Sequence, residues 1–173
     1  QVVPFRGNVD TRLSNLEAGE VDATLLAFAG LSRLGKQDVV TSVIETEQLL
    51  PAVGQGVLAA TCREEDLRAN AMIASLTHPP TTAAVLAERA MLAVLDGSCQ
   101  TPIAGLAYLD GTGKLGLRGI IARPDGAEKA EVELSGSASE AEMLGSQVAE
   151  RLLLEAGPSI LDAIKATGPA IIR

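Results

Sequence analysis

The chain has 173 residues, 47% of them hydrophobic, which is enough apolar content to bury the core of one domain or of two small ones. A formal net charge of −8 and an aromatic content of 2% argue against nucleic-acid binding, which needs a clustered basic face and stacking side chains. With one histidine and two cysteines, the chain is predicted to have free thiols and neither a zinc site nor a disulfide framework. Its apolar runs are short and its N-terminal residues do not have the pattern of a signal peptide, so we predict a cytoplasmic protein without membrane spans.

The first residues have a strand, helix, strand pattern. Residues 2–5 are a strand candidate, residues 9–18 are a helix candidate that ends at Gly19, and residues 22–28 form an apolar strand candidate of the fully buried kind. This order predicts a βαβ unit with parallel pairing, in which ligands collect at the carboxyl ends of the strands. The turn at residues 6–8 lies at such an end.

An extended segment and a helix are predicted next. Residues 49–62 are apolar with glycines at 54 and 56, which is typical of a crossing segment followed by a strand. Residues 64–76 predict a helix whose acidic start suits the helix dipole. Cys62 ends the predicted strand, and we interpret it as a structural residue.

A pair of prolines then separates two predicted domains, with the boundary near residue 77. His78 precedes the prolines and is interpreted as a solvated linker residue. Thr81 or Thr82 is the expected N-cap of a helix over residues 81–95, which Gly97 ends.

The remaining residues predict an α+β domain. Strand candidates over residues 103–109, 114–122 and 128–134 are separated by turn signals and indicate a three-stranded antiparallel meander. A long amphipathic helix over residues 139–155 and a short one over 160–166 are expected to cover one face of that sheet.

Cys99 lies between the helix and the first strand of this domain, where a thiol is accessible rather than packed inside an element. No lysine, arginine or histidine lies within five residues of it, so any activation of the thiol has to come from groups that the fold brings in. From this segment alone, an inert loop cysteine remains an open alternative.

Three sequence blocks carry a family resemblance: RGNVDTRL at 6–13 continuing to AGLSRLG at 29–35, LPAVGQG at 50–56 followed by a Cys-Arg pair, and LDGSCQTPIAG at 95–105. In this order they resemble hydroxymethylbilane synthase, the family also called porphobilinogen deaminase. The resemblance implies a C-terminal fragment that lacks the N-terminal portion. It assigns residues 1–52 to a partial periplasmic-binding-protein-like α/β domain, 53–76 to a crossing segment of the first α/β domain, and 77–173 to the C-terminal α+β domain.

The same resemblance implies a transferase of tetrapyrrole biosynthesis, the route to heme and chlorophyll. Such an enzyme joins four porphobilinogen molecules into hydroxymethylbilane with release of ammonia, on a dipyrromethane held by a cysteine thioether. Cys99 matches that cysteine, and a thiolate is a strong nucleophile toward the methylene left when porphobilinogen loses ammonia. The catalytic aspartate of the family lies in the missing portion, so the fragment is expected to hold no catalytic residue and to be inactive.

Three arginines match the positions that the family places beside the cofactor and substrate acids: Arg6, Arg12 and Arg33. A guanidinium is permanently charged and grips a carboxylate with two parallel hydrogen bonds. Arg6 also precedes a glycine at a helix start, where backbone N–H groups and the helix dipole favour anions. For each arginine, a solvated surface position is the alternative.

Ala27, Gln55 and Gly56 match positions where the family lays backbone or amide groups against the cofactor, and strand core or turn is their alternative. The implied partners are porphobilinogen and its oligomers, with no metal, nucleic acid or membrane. We expect the full-length protein to be monomeric and the fragment to be able to self-associate through its incomplete sheet.

Two other functions stay open from the residues alone. A non-catalytic carboxylate-binding or interaction module would use the arginines and never modify its cysteine. A cysteine hydrolase needs a histidine base beside the thiol, and His78 is the one histidine available.

Overall fold

The computed structural model describes residues 1–95 and 101–167, and the chain divides into two compact units, Gln1–Glu45 and Thr46–Arg173. Within the described residues, no helix has an apolar stretch long enough to cross a membrane.

Short helices form the first unit. Helix α1 (Val9–Glu17) begins after Asn8, whose side chain accepts a hydrogen bond from the Thr11 N–H at 2.9 Å and so satisfies one free donor of the first turn. Helix α2 (Phe28–Arg33) is followed by a 3₁₀ turn over Gln37–Val39. The predicted helix over residues 9–18 is therefore confirmed within one residue at its end.

The strands predicted on either side of α1 are not formed. Residues 2–5 and 22–28 contain no strand, and residues 28–33 belong to α2 instead. A strand is stable only when a neighbour accepts and donates its backbone hydrogen bonds, and two strands with one helix bury too little apolar surface to hold a sheet. The predicted βαβ unit is thus corrected for this structure to helices joined by irregular segments.

The second unit contains an antiparallel sheet in the strand order β1-β2-β3. The strands are β1 (Ile103–Leu109), β2 (Lys114–Ala122) and β3 (Lys129–Ser137). In the register, Leu117 of β2 lies opposite Ala107 of β1 and Leu134 of β3. The predicted meander is confirmed, although β3 runs from 129 to 137 rather than from 128 to 134.

Helices α3 (Leu67–Ala74) and α4 (Pro79–Val94) precede the sheet. His78 occupies the N-cap position of α4 without a capping hydrogen bond from its side chain, and the two prolines occupy the first helical positions, where a missing N–H costs nothing. The predicted N-cap at Thr81 or Thr82 is therefore wrong, because the helix accepts the prolines instead of starting after them. The strand expected within residues 49–62 is also absent from the structure.

A kinked helix, α5 (Ala141–Thr167), follows the sheet after a 3₁₀ turn over Ala138–Glu140. Gly157 breaks it with a φ of 61°, a conformation that favours glycine, and Pro158 comes next. The two helices predicted on either side of this pair are confirmed as the two arms of α5.

Helices α4 and α5 pack against each other and against one face of the sheet. The largest fully buried side chains at this centre are Met91, Leu115, Leu117, Leu152 and Val148. Met91 lies over two sheet glycines: a Cβ at Gly105 would come within 2.5 Å of its Cε and one at Gly119 within 2.7 Å of its Sδ. The Met91 side chain thus fills the space that is left because Gly105 and Gly119 have no side chains.

Candidate functional site

Arg12 has the most contacts of the predicted binding residues in the first unit. Its Nη2 donates to the Thr24 Oγ1 at 2.6 Å and to the Leu25 carbonyl oxygen at 3.0 Å. Its guanidinium carbon lies 5.6 Å from the centre of the Phe5 ring, within the range of a cation–π contact. Arg12 therefore joins α1 to the segments on both sides of it.

A cavity of about 640 Å³ lies beside this guanidinium. It is lined by Arg12, Phe5, residues 1–3 and residues 20–25, so two acidic residues, Glu20 and Asp22, belong to its lining as well. The Arg12 Nε is buried and has no hydrogen-bond partner within the described part of the chain. Since opposite charges attract, the Arg12 guanidinium is the group in this lining that suits an anion.

Arg6 and Arg33 are exposed and do not line that cavity. Arg6 forms no hydrogen bond or ion pair with any described residue, and Arg33 lies in the last turn of α2. Gly7, next to Arg6, has a φ of 129° and a Cβ there would come within 3.0 Å of the Thr11 Cγ2, so glycine is required at this turn. Of the three predicted arginines, the structure places only Arg12 in the cavity described here.

Ala27 lies directly before α2 with extended backbone and is exposed. Its carbonyl oxygen accepts hydrogen bonds from the N–H groups of Gly30 at 3.0 Å and Leu31 at 3.2 Å. The strand-core alternative for Ala27 is therefore wrong, because the residue starts a helix.

Gln55 and Gly56 lie in an exposed turn of the second unit. Gly54 and Gly56 have φ values of 75° and 77°, which favour glycine, and the Gln55 N–H donates to the Ala52 carbonyl oxygen at 3.3 Å. The Gly54 N–H donates to the Glu88 Oε2 at 2.7 Å. This turn presents the Gln55 side chain and the Gly56 backbone to solvent.

A second cavity, of about 460 Å³, lies between this part of the chain and α4. Its lining is mostly apolar with one cation, Arg89, and is formed by Val53, Gly54, Val57, Ala59, Val85, Arg89, Leu92 and Ala93. Sequence reasoning missed Arg89, although the spacing of residues 85, 89, 92 and 93 places them on one face of a helix.

Cys99 lies outside the described residues. The elements that flank its segment, α4 and β1, pack against each other. Cys62 is exposed and outside any strand, so its predicted place at the end of a buried strand is wrong; its Sγ donates to the Asn70 Oδ1 at 3.3 Å. His78 is exposed, with its Nδ1 2.8 Å from the Thr81 Oγ1.

A strong pKa shift occurs far from these residues in sequence, at Asp125 in the turn between β2 and β3. Hydrogen bonds from the Arg123 side chain, with one from the Ala127 N–H, lower the pKa of Asp125 to about 2. Arg123 also donates to the Ser159 Oγ at 3.0 Å, which connects the turn to α5. This cluster is structural and does not involve the predicted binding residues.

Two family models match the chain. Residues 1–71 match the model described as porphobilinogen deaminase, dipyromethane cofactor binding domain, and residues 82–154 match the model described as porphobilinogen deaminase, C-terminal domain. A porphobilinogen deaminase of Nitrobacter winogradskyi is 47% identical over 157 residues, which cover 91% of this chain and 49% of that relative. The chain thus spans about half the length of this curated relative.

Proposed function

Because this chain belongs to the porphobilinogen deaminase family, we propose that it forms part of a hydroxymethylbilane synthase. This transferase joins four porphobilinogen molecules head to tail, releases one ammonia at each addition, and supplies tetrapyrrole biosynthesis. The observation that carries the proposal is the 47% identity to a porphobilinogen deaminase over 91% of the chain.

Cys99 is the proposed attachment point of the dipyrromethane. When bound, this group supplies the terminal pyrrole to which the next porphobilinogen is joined. The Cys99 Sγ forms the thioether, since a thiolate is the strong nucleophile that an electrophilic pyrrole methylene requires. The position of Cys99 within the matched C-terminal domain, residues 82–154, supports this role.

Arg12 is the proposed partner of the carboxylates that the pyrroles carry. It lines a cavity, is permanently charged, and keeps a buried Nε without a partner among the described residues, so the guanidinium fits an acidic group. Further contacts to the cofactor are proposed for Arg6, Arg33, Ala27, Gln55 and Gly56, which all fall within the matched cofactor-binding domain.

The domain division also belongs to this proposal. Residues 1–52 and 53–76 would belong to two periplasmic-binding-protein-like α/β domains and residues 77–173 to the third domain. Residues 2–5 and 22–28 would become strands only beside the sheet neighbours that a longer protein provides. We propose that the longer protein is cytoplasmic and monomeric, and that this chain alone is inactive and self-associates.

The test is a porphobilinogen turnover assay on the full-length protein, with Cys99→Ser and Cys62→Ser as a matched pair. We expect wild type and Cys62→Ser to consume porphobilinogen and release equimolar ammonia, Cys99→Ser to do neither, and the 173-residue chain to be inactive. Failure of the wild-type protein to consume porphobilinogen would overturn the proposal and favour a non-catalytic carboxylate-binding module.

A further inference from the structure

Glu88 is the one charged side chain that is buried among the described residues, with 6% of its surface exposed. It lies in the middle of α4 and forms no ion pair within the described part of the chain. A buried carboxylate is costly unless hydrogen bonds replace its lost hydration. In Glu88, hydrogen bonds from two backbone N–H groups replace that hydration.

Each oxygen of Glu88 accepts from a different part of the second unit. Oε2 accepts from the Gly54 N–H at 2.7 Å, and Oε1 accepts from the Ala107 N–H of β1 at 2.8 Å. The neighbouring edge donor of β1, the Gly105 N–H, bonds to the Pro51 carbonyl oxygen at 3.1 Å. The carboxylate thus joins the residue 51–54 segment to the free edge of the sheet.

This arrangement fixes the turn in which Gln55 and Gly56 lie. Gly54 starts that turn with a φ of 75°, and the bond to Glu88 holds its backbone against α4 and β1. The same two elements lead into and out of the segment that contains Cys99, since α4 ends at Val94 and β1 begins at Ile103.

We propose that Glu88 is a positioning residue, which holds the Gly54–Gln55–Gly56 turn in a fixed place relative to the α4–β1 frame of the Cys99 segment. The inference rests on the proposed function, because it assumes that Cys99 carries the dipyrromethane and that Gln55 and Gly56 contact it. Glu88 itself acts through the turn and touches neither the cofactor nor the substrate.

The two hydrogen bonds to Glu88 need two acceptor oxygens on one side chain, which a carboxylate provides. A carboxylate offers two acceptor oxygens, one for each N–H, whereas an amide of the same shape offers one oxygen and one NH₂ donor. In Glu88→Gln the amide nitrogen would face a backbone N–H, so one of the two connections is lost while the side-chain volume stays the same. A carboxamide therefore separates the connection from simple filling of space.

The test uses the full-length apo protein, reconstituted with porphobilinogen and followed by intact mass and by hydrogen exchange. The matched controls are Glu150→Gln, an exposed glutamate on α5, and Ala87→Gly, a buried α4 change that lowers stability without touching the turn. For Glu88→Gln we expect the Gly54 or Ala107 amide to exchange about tenfold faster, since hydrogen bonds to charged groups are the strong ones. We also expect the rate of cofactor loading per folded molecule to fall about tenfold.

Both controls are expected to load at the wild-type rate. Wild-type loading and exchange in Glu88→Gln, or an equal loss of loading in Ala87→Gly, would overturn the positioning role. If wild type itself never gains the pyrrole mass, the proposed function fails instead, and the exchange data on Gly54 and Ala107 still decide whether Glu88 fixes the turn. If Glu88→Gln does not fold, the shorter side chain of Glu88→Asp keeps the charge and cannot reach both donors. Faster exchange of the Gly54 or Ala107 amide in that variant supports the positioning role, and wild-type exchange of both amides overturns it.

Discussion

At the scale of single residues, Arg12 and Arg6 differ in how much of the guanidinium the fold itself uses. Arg12 hydrogen bonds Thr24 and the Leu25 carbonyl and lies over Phe5, so it holds α1 against its flanking segments. Arg6 is exposed and has no such contacts with described residues. Arg12 therefore has a structural role in addition to its proposed binding role, whereas Arg6 has only the proposed binding role.

This difference predicts different effects of alanine substitution in the full-length protein. Arg12→Ala is expected to lower the free energy of unfolding by about 1–3 kcal/mol, because it removes two hydrogen bonds, and also to slow cofactor loading. Arg6→Ala is expected to slow loading with no change beyond about 0.5 kcal/mol in stability. Denaturant unfolding and intact mass measure the two effects, and an equal loss of stability in both variants would contradict this account.

A titration prediction follows from Asp125, whose folded pKa of about 2 lies below the ordinary 3.8. Because the folded pKa is depressed, the contacts of Asp125 stabilise the fold fully above pH 3.8 and lose that effect as the pH falls toward about 2. In Arg123→Ala we expect the Asp125 midpoint to rise toward 3.8, measured by NMR of the carboxyl carbon. Arg151→Ala, on α5, is the control; an unchanged midpoint in Arg123→Ala would show that Arg123 is not the cause.

At the scale of elements, the contact between α4 and α5 depends on a glycine. A Cβ at Gly145 of α5 would overlap the Ala87 carbonyl oxygen and lie 2.8 Å from the Ala90 Cβ. The two helix backbones can approach this closely only because the side chain is absent, and together they cover the sheet face against which Met91 of α4 packs.

Gly145→Ala is therefore expected to destabilise the protein by about 1–3 kcal/mol through overpacking. Gly111→Ala, in an exposed turn where an added Cβ meets nothing within 4 Å, is expected to stay within about 0.5 kcal/mol of wild type. Chemical denaturation compares the two variants. Similar free energies of unfolding for Gly145→Ala and Gly111→Ala would show that the helices can separate at no cost.

The elements also show what the sequence can predict. The meander and the arms of α5 are set by local patterns, namely alternation, turn residues and the Gly157–Pro158 pair. The strands expected at residues 2–5, 22–28 and 49–62 failed because pairing depends on neighbours that an apolar run does not specify. The helical pattern around Glu88 does not show that its carboxylate accepts hydrogen bonds from two backbone amides distant in sequence, and only the three-dimensional packing does.

At the scale of the whole molecule, exposed apolar side chains lie mainly in the residues before β1. The most exposed of these are Val2 at 100%, Leu58 at 83%, Leu67 at 80% and Leu76 at 79%. The chain spans 49% of the length of its Nitrobacter relative, and apolar surface of this kind supports the proposal that the chain forms part of a longer protein. It also supports the proposed self-association of the isolated chain.

The central claim is that Cys99 carries the dipyrromethane, and the most direct test is the intact mass of the full-length protein followed by peptide mapping. The account predicts an increment equal to two condensed porphobilinogen units on the peptide that contains Cys99, with an unmodified peptide for Cys62. A free Cys99 thiol in protein that turns over porphobilinogen would contradict the account.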